Sequence, residues 1–365
     1  EENYELEDLE SVLDDCMALS MPQKHLLWHY RSRHESLIAY SNAKYYGHRL
    51  YTYPSPDEMG SRVKLVPIDG LYDKGGTKQN QAEAIAVVKE ICNRLLDKKK
   101  KKDSIGVVTF SSAQQNLIED LLEKEFLNNQ ELEKINEQML EPIFIKNLEN
   151  VQGDERDVIL FSVGYGPDKD GKVSMNFGPL NRDGGYRRLN VAISRARKEM
   201  LVYSTITPEQ IDLTRTRAEG VAGLKGFLTY ARVGKSAISV HKEDVVYKDT
   251  TLLEHIAKQI ENMGYKTRCN VGWSKYTIDI GVINPKDENT YILGILLDGD
   301  NAREVNTARE RNLLQPQVLT DLGWNLHAIW ILDWLDNPDK VLSKVKASIA
   351  KALIGKAQRQ CRNER

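Results

Sequence analysis

The chain has 365 residues, and its 51 lysines and arginines against 53 aspartates and glutamates give a formal net charge of −2. This balance excludes a globally basic nucleic-acid-binding protein, so any contact with nucleic acid must come from local patches. With 41% hydrophobic residues, the composition is that of a soluble globular protein of two domains or three. The four scattered cysteines form no C-x-x-C pair, and no segment has a transmembrane or signal-peptide pattern. We therefore expect a cytoplasmic protein without a zinc site, a disulfide framework or a membrane partner.

The N-terminal part combines an arginine-rich segment with the first predicted elements. Trp28–Asn42 reads WHYRSRHESLIAYSN and leads into a helical pattern over Glu35–Tyr45. Tyr51–Gly60 contains two prolines and is predicted to be a loop. Val63–Pro67 is a short strand pattern, and Gln79–Leu96 is typical of an amphipathic helix.

The middle of the chain alternates strand and helix patterns. Ser104–Thr109 is a nearly continuous apolar run, as expected of a buried parallel strand, and a helical pattern follows to Leu122. Ile143–Val151 and Val158–Val163 are further strand patterns. The alternation predicts an α/β domain over residues 1–235, with a parallel sheet flanked by helices.

Tyr186–Lys198 (YRRLNVAISRARK) is predicted to be a single amphipathic helix before a strand at Glu199–Ser204. Its apolar stripe follows helical spacing at Leu189, Ala192, Ile193 and Ala196. Arg188 and Arg195 would lie two turns apart on a different face. A guanidinium is permanently charged and donates in a fork that suits phosphate. The alternative is a surface helix with solvated arginines.

The motif order resembles that of superfamily 1 helicases of the Upf1-related branch. Tyr30-Arg31-Ser32 resembles motif IV, the strand–turn–helix at Ser104–Leu122 motif IVa, Val151–Asp157 motif V, and Tyr186–Lys198 motif VI. The resemblance implies the second RecA-like lobe of an ATP-dependent motor. It also implies that Arg31 and Arg195 reach the γ-phosphate of ATP.

The same resemblance implies further contacts. Gln152 and Gly153 would meet nucleic acid and phosphate, Glu155 would meet the ribose of ATP, and Arg188 would lie in the nucleotide site. Glycine lets a backbone approach a ligand closely, and a carboxylate accepts hydrogen bonds from hydroxyls. An ordinary turn is the alternative for Gln152 and Glu155.

Ser111 and Gln114 would contact the nucleic-acid backbone at the N-terminus of the motif IVa helix, where the helix dipole favours phosphate. For Ser111, simple N-capping is an equally open alternative.

The sequence does not show a P-loop. Gly234-Lys235-Ser236 is preceded by Thr229, where the motif requires glycine, and no strand pattern precedes it. No strand pattern ends in the Asp-Glu pair of a magnesium site. We expect the chain alone not to hydrolyse ATP. It would instead supply Arg31, Glu155 and Arg195 to ATP and Mg²⁺ that are held by an N-terminal P-loop lobe outside this sequence. Single-stranded DNA is the expected nucleic acid, with RNA left open.

A second, smaller α/β domain is predicted over residues 251–355, between a linker at 236–250 and a tail at 356–365. Helical patterns cover Leu252–Met263 and a final stretch to Leu353, and strand patterns cover Tyr276–Ile283, Tyr291–Leu297 and Trp324–Trp330. Asp279 lies within one strand and Asp298 ends another, which is compatible with a two-carboxylate Mg²⁺ site.

This region resembles the restriction-endonuclease-like PD-(D/E)xK domains related to very-short-patch repair endonucleases. The resemblance makes Asp279 the principal metal ligand and Glu254 the acidic residue of the first helix. The sequence departs from the pattern at Leu296, where relatives carry glutamate, and at Arg303, where a histidine is expected.

Three functions follow from these patterns. The first is a fragment of an ATP-dependent DNA helicase or translocase fused to a nuclease-like domain. The second is a nucleic-acid-binding module with a degenerate motor and an inactive nuclease fold. The third is a metal-dependent DNA endonuclease.

Overall fold

The computed structural model describes residues 12–57, 60–238, 250–274, 276–298 and 314–363. It contains a five-stranded parallel sheet flanked by helices and a separate four-stranded sheet with its own helices. The predicted fold class, a parallel α/β sheet followed by a smaller α/β unit, is therefore confirmed.

The first sheet has the strand order β1-β5-β4-β2-β3, and all its neighbours are parallel. Its strands are β1 (Val63–Pro67), β2 (Ile105–Thr109), β3 (Phe144–Asn147), β4 (Arg156–Ser162) and β5 (Ala196–Ser204).

The helices of the first domain are α1 (Val12–Ala18), α2 (Ser36–Tyr45), α3 (Gln81–Leu96), α4 (Ser112–Asn128), α5 (Gln130–Glu137), α6 (Gly185–Ile193) and α7 (Glu219–Val233). Successive side chains of a strand point to opposite faces of the sheet. The sheet therefore has a core on each face, and these helices cover both. Val107 and Leu160 belong to one buried cluster, and Val108 and Phe161 belong to the other.

The prediction of one helix over Tyr186–Lys198 is wrong at its C-terminal end. Helix α6 ends at Ile193, and β5 begins at Ala196. β5 lies between β1 and β4, so its backbone forms ladder hydrogen bonds on both sides, and this pairing outweighs continuation of the helix. Arg195 therefore lies in the turn between the helix and the strand, and it does not share a helical face with Arg188.

The second sheet has the order β6-β7-β8-β9. β6 (Thr267–Val271), β7 (Ile278–Asn284) and β8 (Asp287–Leu297) pair antiparallel, and β9 (Leu326–Ile329) joins β8 in parallel. Its helices are α8 (Thr250–Asn262), α9 (Gln315–Asp321), α10 (Ile331–Asp336) and α11 (Pro338–Asn363).

Helix α11 continues beyond Leu353, where the sequence pattern predicted its end, through most of the predicted tail at 356–365. The predicted linker at 236–250 falls largely outside the described residues, so its boundaries remain predictions. Gly234-Lys235-Ser236 lies in a 3₁₀ turn directly after α7 rather than after a strand. Among the described helices, none is both long and apolar enough to cross a membrane.

Candidate functional site

Arg31, Glu155 and Arg195 come together where β4 and β5 begin, although they are far apart in the sequence. Arg31 Nε lies 2.6 Å from Glu155 Oε2 and forms an ion pair with it. Arg31 Nη1 donates to the carbonyl of Ser194, the residue before Arg195, at 3.4 Å. Glu155 lies just before β4 and Arg195 lies in the turn after α6. Because Arg31 bonds to both places, the three predicted site residues form one cluster.

Arg195 is a buried cation without a carboxylate partner among the described residues. The residue is 9% exposed, and its guanidinium donates only to backbone carbonyls, from Nε to Val191 at 2.7 Å and from Nη1 to Asp154 at 3.4 Å. Burial and then the nearby Arg31 lower the pKa of Arg195, while Glu155 opposes that shift. Two neighbouring guanidinium groups, one of them not neutralised by an ion pair, form a site suited to an anion such as phosphate.

Arg197, two residues further on, shows the contrasting arrangement. It forms ion pairs with Glu141 and with Asp157, the latter at 3.1 Å from Nε to Oδ1. The hydrogen bond with Glu141 is the largest cause that raises the pKa of Arg197. Arg197 is therefore neutralised by the fold, and Arg195 is not.

Glu155 connects both arginine environments. Besides its bond to Arg31, its Oε1 lies 3.6 Å from Arg197 Nη1. The predicted contact of Glu155 with a ribose remains a prediction, and in this structure the carboxylate neutralises Arg31.

Gln152 and Gly153 form an exposed turn before β4. Gly153 has φ +92°, a conformation that strains residues with a side chain, and a β-carbon there would meet no atom within 4 Å. Glycine is thus required by the backbone conformation. The turn is open to a ligand, as the prediction requires.

Ser111 is the N-cap of α4, and its hydroxyl accepts a hydrogen bond from the backbone N–H of Gln114 at 3.2 Å. The predicted contact of Gln114 with nucleic acid remains a prediction, and in this structure the residue is only 1% exposed. Its side-chain amide is occupied by the backbone of Asn80, at 2.8 and 3.0 Å, and by the hydroxyl of Ser162. Gln114 therefore joins α4 to its neighbours inside the domain.

Arg188 lies half-buried on α6. It makes no ion pair within the described part of the chain, and it does not join the hydrogen bonds that connect Arg31, Glu155 and Ser194. Its predicted role in the nucleotide site remains a prediction.

His29 is a member of the cluster that sequence reasoning missed. Its Nε2 lies 2.8 Å from the hydroxyl of Ser32. Burial, then Arg31 and Arg195, lower the pKa of His29 to about 4, so the imidazole is neutral at physiological pH. Only its position two residues before Arg31 could have pointed to it, since a single histidine has no periodic signature.

The three acidic residues predicted for the second domain lie on three elements, with Asp279 on β7, Asp298 directly after β8 and Glu254 on α8. Asp279 is 4% exposed, and its Oδ2 accepts from the backbone N–H of Leu297 at 2.7 Å, which joins β7 to β8. Asp298 is exposed, and its Oδ1 accepts from the N–H of Ile331 at 2.6 Å, at the start of α10. Glu254 is exposed on α8.

The predicted Mg²⁺ site at Asp279 and Asp298 remains a prediction. Within the described ranges, no group of three or more His, Cys, Asp or Glu side chains could hold a metal ion. The side chain of Leu296 supplies no oxygen ligand at the position where glutamate was expected, and Arg303 lies outside the described residues.

Comparison with known proteins relates both sheets to known families. A model described as an AAA domain (AAA_12) matches residues 9–206, and the model REase_MTES_1575, of nuclease-like domains, matches residues 253–349. An uncharacterized ATP-dependent helicase of Mycoplasma genitalium is 32% identical over 89% of this chain and 30% of its own length. Its homolog in Mycoplasma pneumoniae is 29% identical over 88% of this chain and 29% of its own length. The chain thus spans about a third of these relatives.

Among solved structures, the C-terminal domain of a possible DNA helicase from Lactobacillus plantarum aligns with 48% of this chain and 86% of that structure. Its TM-score of 0.29 and identity of 14% are too low to support an argument. The match of the AAA model covers more than half of the sequence, including Arg31, Glu155 and Arg195. The chain therefore belongs to the AAA domain family AAA_12.

Proposed function

We propose that this chain is the arginine-bearing second lobe of an ATP-dependent, Upf1-related superfamily 1 helicase or translocase. The observation that supports this most directly is the buried Arg195 guanidinium, which has no carboxylate partner among the described residues and lies beside Arg31. Burying a charge without a counter-ion is unfavourable for folding, so its presence points to an anionic ligand. The relatives named ATP-dependent helicases support the same class.

In this proposal, ATP and Mg²⁺ are held by a P-loop lobe of the full-length protein. ATP supplies the phosphoryl group, and the residues of this chain stabilise the charge that develops on it. Arg195 is held by carbonyls on one side and can donate from its remaining N–H groups to γ-phosphate oxygens. Arg31 would add a second donor once its guanidinium turns from Glu155 toward the phosphate.

His29 supports this arrangement without adding charge. Its neutral imidazole hydrogen-bonds the side chain and the backbone N–H of Ser32, next to Arg31. A protonated histidine at this position would add a third positive charge and would repel both arginines.

We propose single-stranded DNA as the translocated polymer, in contact with the turn at Gln152-Gly153 and the N-terminus of α4 near Ser111. The exposure of that turn and the positive end of the helix dipole suit a phosphate backbone. ATPase stimulation by DNA oligonucleotides is the expected result. ATPase stimulation by RNA and not by DNA would identify RNA as the translocated polymer instead.

The deciding experiment is an ATPase assay of the full-length protein with Arg195→Ala beside Arg232→Ala. Arg232 is an exposed arginine whose Nη2 lies 2.6 Å from Glu209 Oε1, so it is a control for loss of a surface guanidinium. We expect Arg195→Ala, but not Arg232→Ala, to lower turnover by about 10³-fold while binding of a fluorescent ATP analogue persists. Unchanged turnover would contradict the motor proposal and favour a nucleic-acid-binding module with a degenerate motor.

A further inference from the structure

Arg31 is followed in the chain by α2 and then by the segment 51–56, which we name the strap. The strap pairs with the residues just before Arg31. The N–H of Tyr51 donates to the carbonyl of Leu27 at 2.6 Å, and the N–H of His29 donates to the carbonyl of Tyr51 at 3.1 Å. The backbone on the N-terminal side of Arg31 is thus held by the strap.

The strap is bonded along its length to the second domain. The hydroxyl of Ser274 donates to the carbonyl of Thr52 at 2.6 Å and accepts from its N–H at 3.0 Å. Pro54 and Pro56 have no N–H, and their carbonyls accept from the indole N–H of Trp324 at 2.8 Å and the backbone N–H of Tyr291 at 2.6 Å. Every second residue of the strap is therefore anchored.

The side chain of Tyr53, in the middle of the strap, belongs to the core of the second domain. Tyr53 is buried in the same cluster as Tyr276, Tyr291 and Trp324. The rings of Tyr53 and Tyr276 stack with centroids 4.6 Å apart, and the ring of Trp28 packs against Tyr53 with centroids 5.2 Å apart. This aromatic row connects the second domain to the residues before Arg31.

Glu35 joins the same parts from the C-terminal side of Arg31. The residue is 2% exposed, and its Oε2 accepts from the backbone N–H of Trp273 at 3.0 Å. Its Oε1 accepts from the hydroxyl of Thr52. A buried carboxylate needs such donors, so Glu35 fixes the start of α2 against both the strap and the second domain.

On its remaining side, the Arg31 segment contacts β5. The N–H of Arg33 donates to the carbonyl of Arg197 at 2.9 Å, and the hydroxyl of Ser32 donates to the carbonyl of Ala196 at 3.3 Å. The Arg31 backbone is thus held between the sheet of its own lobe and the second domain.

We infer that the nuclease-like domain positions Arg31 for ATP hydrolysis, acting through Ser274, Trp324 and the strap. The inference rests on the proposed function, because it assigns the second domain a role at that same site. An arginine donor displaced by about 1 Å loses much of its transition-state stabilisation, so a fixed backbone matters for turnover. Ser274 and Trp324 are positioning residues, since neither touches the arginine itself.

The first test is Ser274→Ala in the full-length protein, with Ser348→Ala as its matched control. Both serines are half-buried in the second domain, but Ser348 bonds to His327 at 2.9 Å, away from the strap. We expect Ser274→Ala to lower kcat about 3- to 10-fold, the value of one or two lost hydrogen bonds, with the KM for ATP unchanged. Ser348→Ala should leave both parameters at the wild-type values, and equal kcat values for the two variants would overturn the inference.

The second test separates positioning from general destabilisation. In an Arg31→Ala background, Ser274→Ala should have no further effect on kcat, because the group that it positions is absent. The same fold-loss in both backgrounds would overturn the inference. Trp324→Phe, which keeps an aromatic ring and removes the indole N–H that donates to Pro54, should reproduce the pattern. It replaces Ser274→Ala if that variant does not fold. If Arg31→Ala itself left kcat unchanged, the proposed function would fail instead.

Discussion

The two domains carry predicted sites of opposite charge, and the fold treats them differently. In the first domain, Arg31 and Arg195 converge, and Arg195 has no carboxylate partner within the described chain. In the second, Asp279 and Asp298 each accept a backbone N–H of a different element and serve the local structure. The comparison teaches that a buried charge without an ion-pair partner is a stronger sign of a ligand than a motif position alone.

The physical reason is the energetics of buried charge. A buried carboxylate that accepts backbone N–H groups is stabilised by the fold itself. A buried guanidinium beside a second guanidinium is not, and carbonyl acceptors compensate it only in part. Arg195 is therefore a better indicator of a ligand than Asp279.

The largest expected effect is that of Arg195→Ala, which should lower kcat of the full-length ATPase by about 10³-fold, the range of an arginine that stabilises phosphoryl transfer. Arg195→Lys keeps the charge but loses the forked donor geometry, so it should restore only a small part of the activity. Phosphate release at saturating ATP and nucleic acid measures both. A kcat within twofold of wild type for Arg195→Ala would show that the predicted site of the first domain is no more active than that of the second.

A smaller effect is expected for Arg31→Ala, about 30-fold in kcat, because Glu155 already neutralises this arginine. Arg49→Ala is the matched control, since Arg49 is exposed and its Nε donates to the carbonyl of Tyr46 at 3.2 Å. Steady-state kinetics of both variants provide the test. Equal losses in the two would show that any missing arginine, rather than the cluster, lowers turnover.

In the second domain, Asp279→Ala should act on stability and not on nucleic acid. Loss of the carboxylate leaves the N–H of Leu297 without this acceptor, which costs about 1–3 kcal/mol. Asp279→Asn retains an acceptor oxygen and should cost less; urea unfolding measures both.

The matching activity measurement uses plasmid DNA with Mg²⁺ or Mn²⁺. Wild type and Asp279→Ala should give the same background of nicked plasmid. Nicking by wild type that Asp279→Ala abolishes would make the second domain a metal-dependent endonuclease and reverse the comparison.

The smallest effect concerns Glu83, a buried carboxylate of the first domain. It accepts from the N–H groups of Gly164 and Thr205, at 2.7 and 2.8 Å, yet burial raises its pKa from 4.5 to about 7. A raised folded-state pKa means that the contribution to stability is full below pH 4.5 and is lost as the pH rises through 7. Glu83→Gln should remove this pH-dependent loss of stability, because an amide side chain does not titrate.

Thermal unfolding between pH 5 and pH 8 tests this prediction. The Tm of Glu83→Gln relative to wild type should rise with pH, whatever its absolute value. A constant difference across this range would show that Glu83 is ionised throughout.

Much of this protein was predictable from local sequence. Apolar runs such as Ser104–Thr109 predicted buried parallel strands, and the alternation of strands with helices predicted the α/β class, because a strand's side-chain periodicity is a local property. The motif segments identified Arg31 and Arg195 as candidates. The burial of Gln114 was not predictable, since it depends on Asn80 and Ser162, which the sequence places far away.

The sequence by itself determined which residues could bind phosphate and which strands and helices carry them. Only the tertiary structure decided that α6 ends at Ile193, that Arg197 is neutralised while Arg195 is not, and that the strap joins the second domain. These outcomes depend on pairing with β1 and β4, on partners of Arg197 that lie 40 and 56 positions away, and on a strap contact between residues 222 positions apart. Such long-range contacts have no local pattern, because they arise from the packing of the whole chain.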